Sequence, residues 1–115
     1  TQLDYKEKGV NKHIRTIDIR YFEADGNYLK VYWGNKSVLL RHTLQKLEDQ
    51  LQPGAFLRIH RSLLLNVNYI EAVRYDGNNQ YTFTLKEGPK LQSSRSYRED
   101  IQAFLQEDGR EELLK

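Results

Sequence analysis

The sequence predicts a small, mainly β domain, built of small antiparallel sheets with two short helices. Three observations carry that prediction. Apolar and polar residues alternate with period two over several short runs, the pattern of strands buried on one face. Gly, Asn, Asp and Pro punctuate the chain between those runs. Two further segments place apolar residues at helical spacing instead. The 115 residues suit one domain and are too few for two ordinary ones, so 1–115 is read as a single unit.

Taken in order, the first strand expected is 13–23, followed by the turn Asp25-Gly26-Asn27. Leu29, Val31 and Trp33 then alternate with Tyr28, Lys30 and Tyr32, and Gly34-Asn35 leads into a strand at 37–41. In 43–51, Leu44, Leu47 and Leu51 share a face, Thr43 can cap the start and Pro53-Gly54 stops the segment, which reads as a helix. Strands follow at 56–60 and 70–75, and the turn Asp76-Gly77-Asn78-Asn79 precedes a strand in which Tyr81, Phe83 and Leu85 alternate with Gln80, Thr82 and Thr84. After Gly88-Pro89, the segment 96–107 reads as a second helix, with Tyr97, Ile101, Phe104 and Leu105 on one face and Ser96 and Glu99 as a capping box. Glu107–Lys115 forms a tail whose Leu113 and Leu114 either pack on the domain or fray.

Composition narrows the function. Eight Tyr, four Phe and one Trp supply a core that disordered chains lack. Cysteine is absent, which excludes disulfides and thiolate metal sites and fits a reducing, cytoplasmic setting. There is no apolar run of membrane-spanning length and no signal-peptide pattern, so no membrane contact is expected of this segment. Thr1 follows no Met, as in an excised domain or a processed chain. Net charge is +2 over residues 1–54, +4 over 55–98 and −4 over 99–115. That asymmetry suits an anion on one face, although scatter accounts for it equally well.

No catalytic or cofactor pattern is present. His13, His42 and His60 have no helical pairing that would hold a metal. There is no P-loop, no GxGxxG and no nucleophile elbow. The expectation is therefore no enzyme activity, no metal and no cofactor. Three other places carry chemistry. His60, Arg61 and Ser62 stand together between the apolar anchors Leu57, Ile59 and Leu63-Leu64-Leu65. Arg can fork onto a guanine edge or a phosphate, while His and Ser donate to phosphate oxygens, although local structural pairing explains them as readily. Ser93-Ser94-Arg95-Ser96-Tyr97-Arg98 sits at a strand-to-helix junction. Two Arg at the positive end of a helix are mildly unfavourable without an anion, which favours a functional reading. The turn at Asp25–Tyr28 is a hairpin whose Asn27 and Tyr28 are free to touch a ligand.

Together these places resemble the LytTR family, the DNA-binding domain of LytR/AlgR-type response regulators. The matching stretches are Ile19–Tyr28 (IRYFEADGNY), Phe56–Ser62 (FLRIHRS) with Asn66 following, and Ser94–Tyr97 (SRSY), and the likeness runs over about residues 10–106. The resemblance implies about ten strands in small sheets, and DNA binding by loops entering successive major grooves rather than by a recognition helix. It implies base contacts at Asn27 or Tyr28, at Arg61 beside His60, and at Arg95. Lys30, Arg58, Ser62, Ser94, Tyr97 and Arg98 become candidate backbone contacts. It also implies double-stranded DNA as partner, two copies on repeated half-sites, and a receiver or other input domain upstream.

Two other readings compete with this one. A single-stranded nucleic-acid or RNA binder on a small β barrel would line one open surface with Tyr28, Tyr32, Tyr75 and Tyr81. A protein-interaction β module without nucleic acid would leave the basic middle segment unexplained.

Overall fold

The computed structural model describes residues 1–107 and 109–115. Its strands are β1 (Gln2–Glu7), β2 (Val10–Arg15), β3 (Ile19–Asp25), β4 (Tyr28–Trp33), β5 (Lys36–Leu40), β6 (Phe56–His60), β7 (Leu63–Asn66), β8 (Ile70–Gly77), β9 (Gln80–Leu85) and β10 (Lys90–Gln92). The helices are α1 (Leu44–Gln50) and α2 (Arg98–Leu105). The strands form three antiparallel sheets: the hairpin β1-β2, a five-stranded sheet in the order β5-β4-β3-β7-β6, and a three-stranded sheet in the order β10-β9-β8.

Both faces of the five-stranded sheet are covered. On one face, Phe22, Leu29, Val31 and Leu64 meet Leu3 and Ile14 of the hairpin and Leu44, Leu47 and Leu51 of the α1 segment. On the other, Tyr21, Leu57, Ile59, Leu63 and Leu65 meet β8 and β9 together with Ile101, Phe104 and Leu105 of α2. This explains the run Leu63-Leu64-Leu65, which reads as an anchor in sequence but forms the buried strand β7. A strand covered on both faces has no polar side to show.

Several elements differ from the sequence expectation. The stretch 13–23 is two strands, broken by a 3-10 turn at Thr16–Asp18. There the buried Thr16 bonds the carbonyl of Thr1 through its amide at 3.0 Å and its hydroxyl at 3.2 Å. Strands β1 and β10 carry no clear alternation and are defined by their pairing with β2 and β9. The first helix starts as expected, with Thr43 Oγ1 accepting from the Lys46 amide at 3.2 Å. The second is shorter than 96–107, and its capping box does not form. Arg95–Tyr97 make a 3-10 turn, in which the Tyr97 amide bonds Ser94 O at 3.2 Å and the Arg98 amide bonds Arg95 O. Carbonyls thus satisfy those amides, Ser96 Oγ turns to Ser94 Oγ at 3.2 Å, and Glu99 stays exposed.

In the described part of the tail, Leu113 is half-buried against the core, Leu114 bridges Val73, and the Lys115 amide bonds Val73 O at 3.0 Å. Position 108 of that tail lies outside the described residues. Among the described residues no helix is long and apolar enough to cross a membrane.

Candidate nucleic-acid interface

Three loops converge at one end of the five-stranded sheet, each for a local reason. The β3–β4 hairpin turns on Gly26-Asn27, with Gly26 at φ 62 and Asp25 paired to Tyr28. A positive φ at the first central residue suits a tight hairpin, and glycine adopts it without steric penalty. The β6–β7 connection is the pair Arg61-Ser62, and a bulge between Arg58 and His60 bends β6 just before it. The Ala24 amide bonds Ser62 O at 2.9 Å, so the two turns are neighbours. The third loop leaves β10 at Ser93, whose hydroxyl accepts from the Tyr81 amide at 2.9 Å. The Ser94 amide then bonds Ile59 O at 3.0 Å, which brings this loop against β6. Ser93 is therefore a buried latch, distinct from the exposed Arg95 and Ser96 that follow it.

The structure brings most of the expected residues together here. Asn27, Tyr28, Arg61 and Arg95 are all exposed. The Arg41 guanidinium lies 5.7 Å from the Tyr28 ring. His60 Nδ1 accepts from the Ser62 amide at 3.1 Å and lies 2.9 Å from Ser62 Oγ. An amide can only donate, so the neutral ring carries its proton on Nε2, which is thereby a donor. Lys30 sits along β4 with its ammonium 5.3 Å from the Tyr32 ring. Arg98 donates to Arg95 O at 3.2 Å, closing the 3-10 turn from outside.

Arg58 departs from the role expected of it. Its Nε donates to His60 O at 2.8 Å, its Nη1 to Glu48 Oε1 at 2.8 Å, and its Nη2 to Arg61 O. Its guanidinium also lies 5.8 Å from the Tyr97 ring. The side chain is 17% exposed, so this cation is largely engaged within the protein even where it borders the surface cleft.

Sequence reasoning missed Arg41, His42 and Lys46. They line a cleft of about 630 Å³ between the β3–β4 turn, the start of α1 and the β6–β7 turn, together with Asn27, Arg58 and Arg61. Among the described residues, no carboxylate lines it. A signal was available, since α1 carries Lys46 and no acid in its first turn, the same conflict with the helix dipole that drew attention to Arg98.

Farther along the three-stranded sheet, Asp76 accepts from Thr82 Oγ1 at 2.6 Å, Gln92 Nε2 at 3.1 Å and Arg74 Nε at 2.9 Å. Those bonds hold its carboxyl down at about 2 and staple β10 in place just before the third loop. Tyr21 stacks on Tyr32 with centroids 4.3 Å apart, and burial, then the Tyr32 neighbour, push its hydroxyl well above the usual tyrosine range. The four tyrosines of the single-strand reading do not share a surface. Tyr81 is buried, Tyr32 stacks on Tyr21, and Tyr28 and Tyr75 lie on different sheets.

Comparison with known proteins points the same way. The sequence profile of the LytTr DNA-binding domain matches residues 11–106. The sensory transduction protein LytT of Bacillus subtilis is 29% identical over 92 residues, 80% of this chain and 38% of that protein. The transcriptional regulatory protein LytR of Staphylococcus aureus is 38% identical over 62 residues, 54% of this chain and 25% of that protein. The chain thus spans well under half the length of these curated relatives. Among solved structures, the LytTr DNA-binding domain of a Bacillus cereus response regulator superposes with a TM-score of 0.82 at 24% identity, covering 91% of this chain and 96% of that one. That likeness carries the fold, three-sheet topology included.

Proposed function

Since this chain belongs to the LytTr DNA-binding domain family, we propose that it binds double-stranded DNA sequence-specifically, through its three loops, as the effector domain of a bacterial transcription regulator. The observation that carries this reading is the convergence of Asn27, Arg61 and Arg95, from three separate connections, on one end of a sheet beside a cleft that no carboxylate lines among the described residues. Three short loops on a rigid sheet can enter grooves that a helix would otherwise fill. Arg61 and Arg95 are suited to fork onto guanine edges, and Asn27 and Tyr28 read the remaining bases. His60 Nε2 donates beside Arg61. Lys30, Ser62, Ser94, Tyr97 and Arg98 grip phosphates, and Arg41 and Lys46 extend that set along the cleft.

In the whole protein, a receiver or other input domain precedes this one, and the protein acts in the cytoplasm. Two copies occupy repeated half-sites on one face of the duplex, because paired binders follow the helical repeat of DNA. Selection from a random duplex pool, followed by gel shifts on one and on two half-sites, tests the whole reading. A recurrent motif is expected, with a steep loss of affinity as salt rises. Equal affinity for single strands of the selected sequence would transfer the function to single-stranded nucleic acid. A flat salt response would leave a protein-interaction module.

A further inference from the structure

We propose that Arg58 is a positioning residue that holds the Arg61 and Arg95 loops in mutual register, and that it does not itself contact DNA. The inference rests on the reading of Arg61 and Arg95 as base-reading residues. Arg61 lies in a turn, outside the strand ladder, and Arg58 Nη2 donates to its carbonyl. Nε of the same guanidinium donates to the His60 carbonyl at 2.8 Å, so the peptides on either side of the reading residue both hang on one planar group. Glu48, arriving from α1, accepts from Nη1 at 2.8 Å and fixes the plane. The Tyr97 ring, two residues after Arg95, lies against that guanidinium at 5.8 Å.

One side chain therefore touches both arginine loops and the helix that carries Lys46. A binding constellation must be held to about 0.5 Å to read correctly, and two arginines aimed at different base steps need their separation fixed as well. Only a planar fork reaches these acceptors at once. Lysine keeps the charge but is a point donor.

The test uses Arg58→Lys and Arg58→Gln beside Arg61→Ala and Arg95→Ala, with a panel of single-base variants of the selected site. The two alanine variants mark which base position each loop reads. Arg58→Lys is expected to relax preference at both positions together, by about tenfold at each, the size of one lost bidentate contact. Arg58→Gln is expected to do the same with the wild-type salt dependence. A salt slope lowered by about one with intact base preference would make Arg58 a phosphate contact and overturn the proposal. So would wild-type preference in Arg58→Lys.

If Arg58→Gln melts below the binding temperature, Tyr97→Leu replaces it. That variant keeps the ion pair with Glu48 and removes the ring; loss of its phosphate contact weakens binding to all sequences alike, and base preference should relax at the Arg95 position alone. Unchanged preference there would overturn the coupling. Amide exchange without DNA, at residues 60–62 and 95–97, should quicken in Arg58→Lys, and unchanged protection would again overturn it. Should Arg61→Ala and Arg95→Ala both retain wild-type preference, the base-reading assignment fails, while the exchange measurement still decides whether Arg58 ties the loops.

Discussion

The β3–β4 and β6–β7 turns lie side by side, each with two residues between its strands, yet they are built differently. The first is held by the positive φ of Gly26 and by its flanking pair, and among the described residues Asn27 makes no side-chain hydrogen bond. The second is braced from three directions: Arg58 on two carbonyls, His60 Nδ1 on the Ser62 amide, and Ser62 O on the Ala24 amide. A side chain on a braced turn has given up its backbone freedom during folding. One on a free turn gives it up on binding, at about 1–2 kcal/mol per residue fixed. The braced turn is thus suited to rigid readout and the free one to adapting to whatever base lies beneath it.

The largest effect expected is loss of readout from the braced side. Arg61→Ala and Arg95→Ala should each weaken binding by about 1–3 kcal/mol and relax preference at separate base positions. Folding should be preserved, because exposed truncations change stability by about 0.5 kcal/mol or less. Melts by circular dichroism beside binding to single-base variants check both parts, and an unfolded variant would make that arginine structural. Next comes a change that makes the braced turn resemble the free one. His60→Ala removes the acceptor for the Ser62 amide and should weaken binding by about 1 kcal/mol, with faster amide exchange at Ser62. Unchanged exchange would show that the imidazole does not brace the turn.

Arg41→Ala, Lys46→Ala, Lys30→Ala and Arg98→Ala should each lower the salt slope by about one and leave base preference intact. Asn27→Ala should have a smaller effect, below about 1 kcal/mol in affinity, because an adaptable side chain returns part of its contact energy as lost freedom. A loss equal to that of Arg61→Ala would erase the contrast between the two turns. The smallest effect on binding belongs to Asp76, which lies outside the three loops. Its carboxyl is held from the ordinary 3.8 down to about 2, chiefly by the Thr82 hydroxyl and then by Gln92 and Arg74. A depressed carboxylate adds stability above its unfolded pKa and loses it as pH falls through the folded one. Acid titration of the fold should therefore show a loss between about pH 4 and 2 that Asp76→Asn removes.

Much of the fold was legible because its strands obey simple alternation. Gln80–Leu85 and Phe56–His60 are found where period two puts them, and Thr43 caps α1 as its position implies. Residues escaped where tertiary pairing outweighed local pattern. β1 and β10 exist by virtue of their partners, and Ser96 caps nothing because it lies inside a 3-10 turn, one residue before the Tyr97 that stands at the start of α2. In the site, exposed arginines flanked by anchors stood out, but Arg58 looked the same as Arg61 in sequence. What separates them is the alternation of β6 and the bulge after Arg58, which turn one guanidinium inward onto Glu48 and leave the next outside. The cleft cations went unnoticed because they lie far in sequence from the loops they adjoin.

Strand β7 has a consequence of its own. Leu63, Leu64 and Leu65 offer equal side chains to the two cores, so sliding the strand by one residue would exchange leucine for leucine. Hydrophobicity, which elsewhere punishes such a slip by turning the apolar set to water, is blind to it here. The decision falls to Asn66, buried at the end of the strand, whose amide reaches Ile19 O at 2.7 Å while its Oδ1 accepts from the Asn68 amide at 3.0 Å. A slip would drag that polar head into an apolar slot and strand it there unpaired. One asparagine thus acts as the key that admits a single alignment of three interchangeable leucines, and the turn carrying Arg61 begins two residues before the first of them.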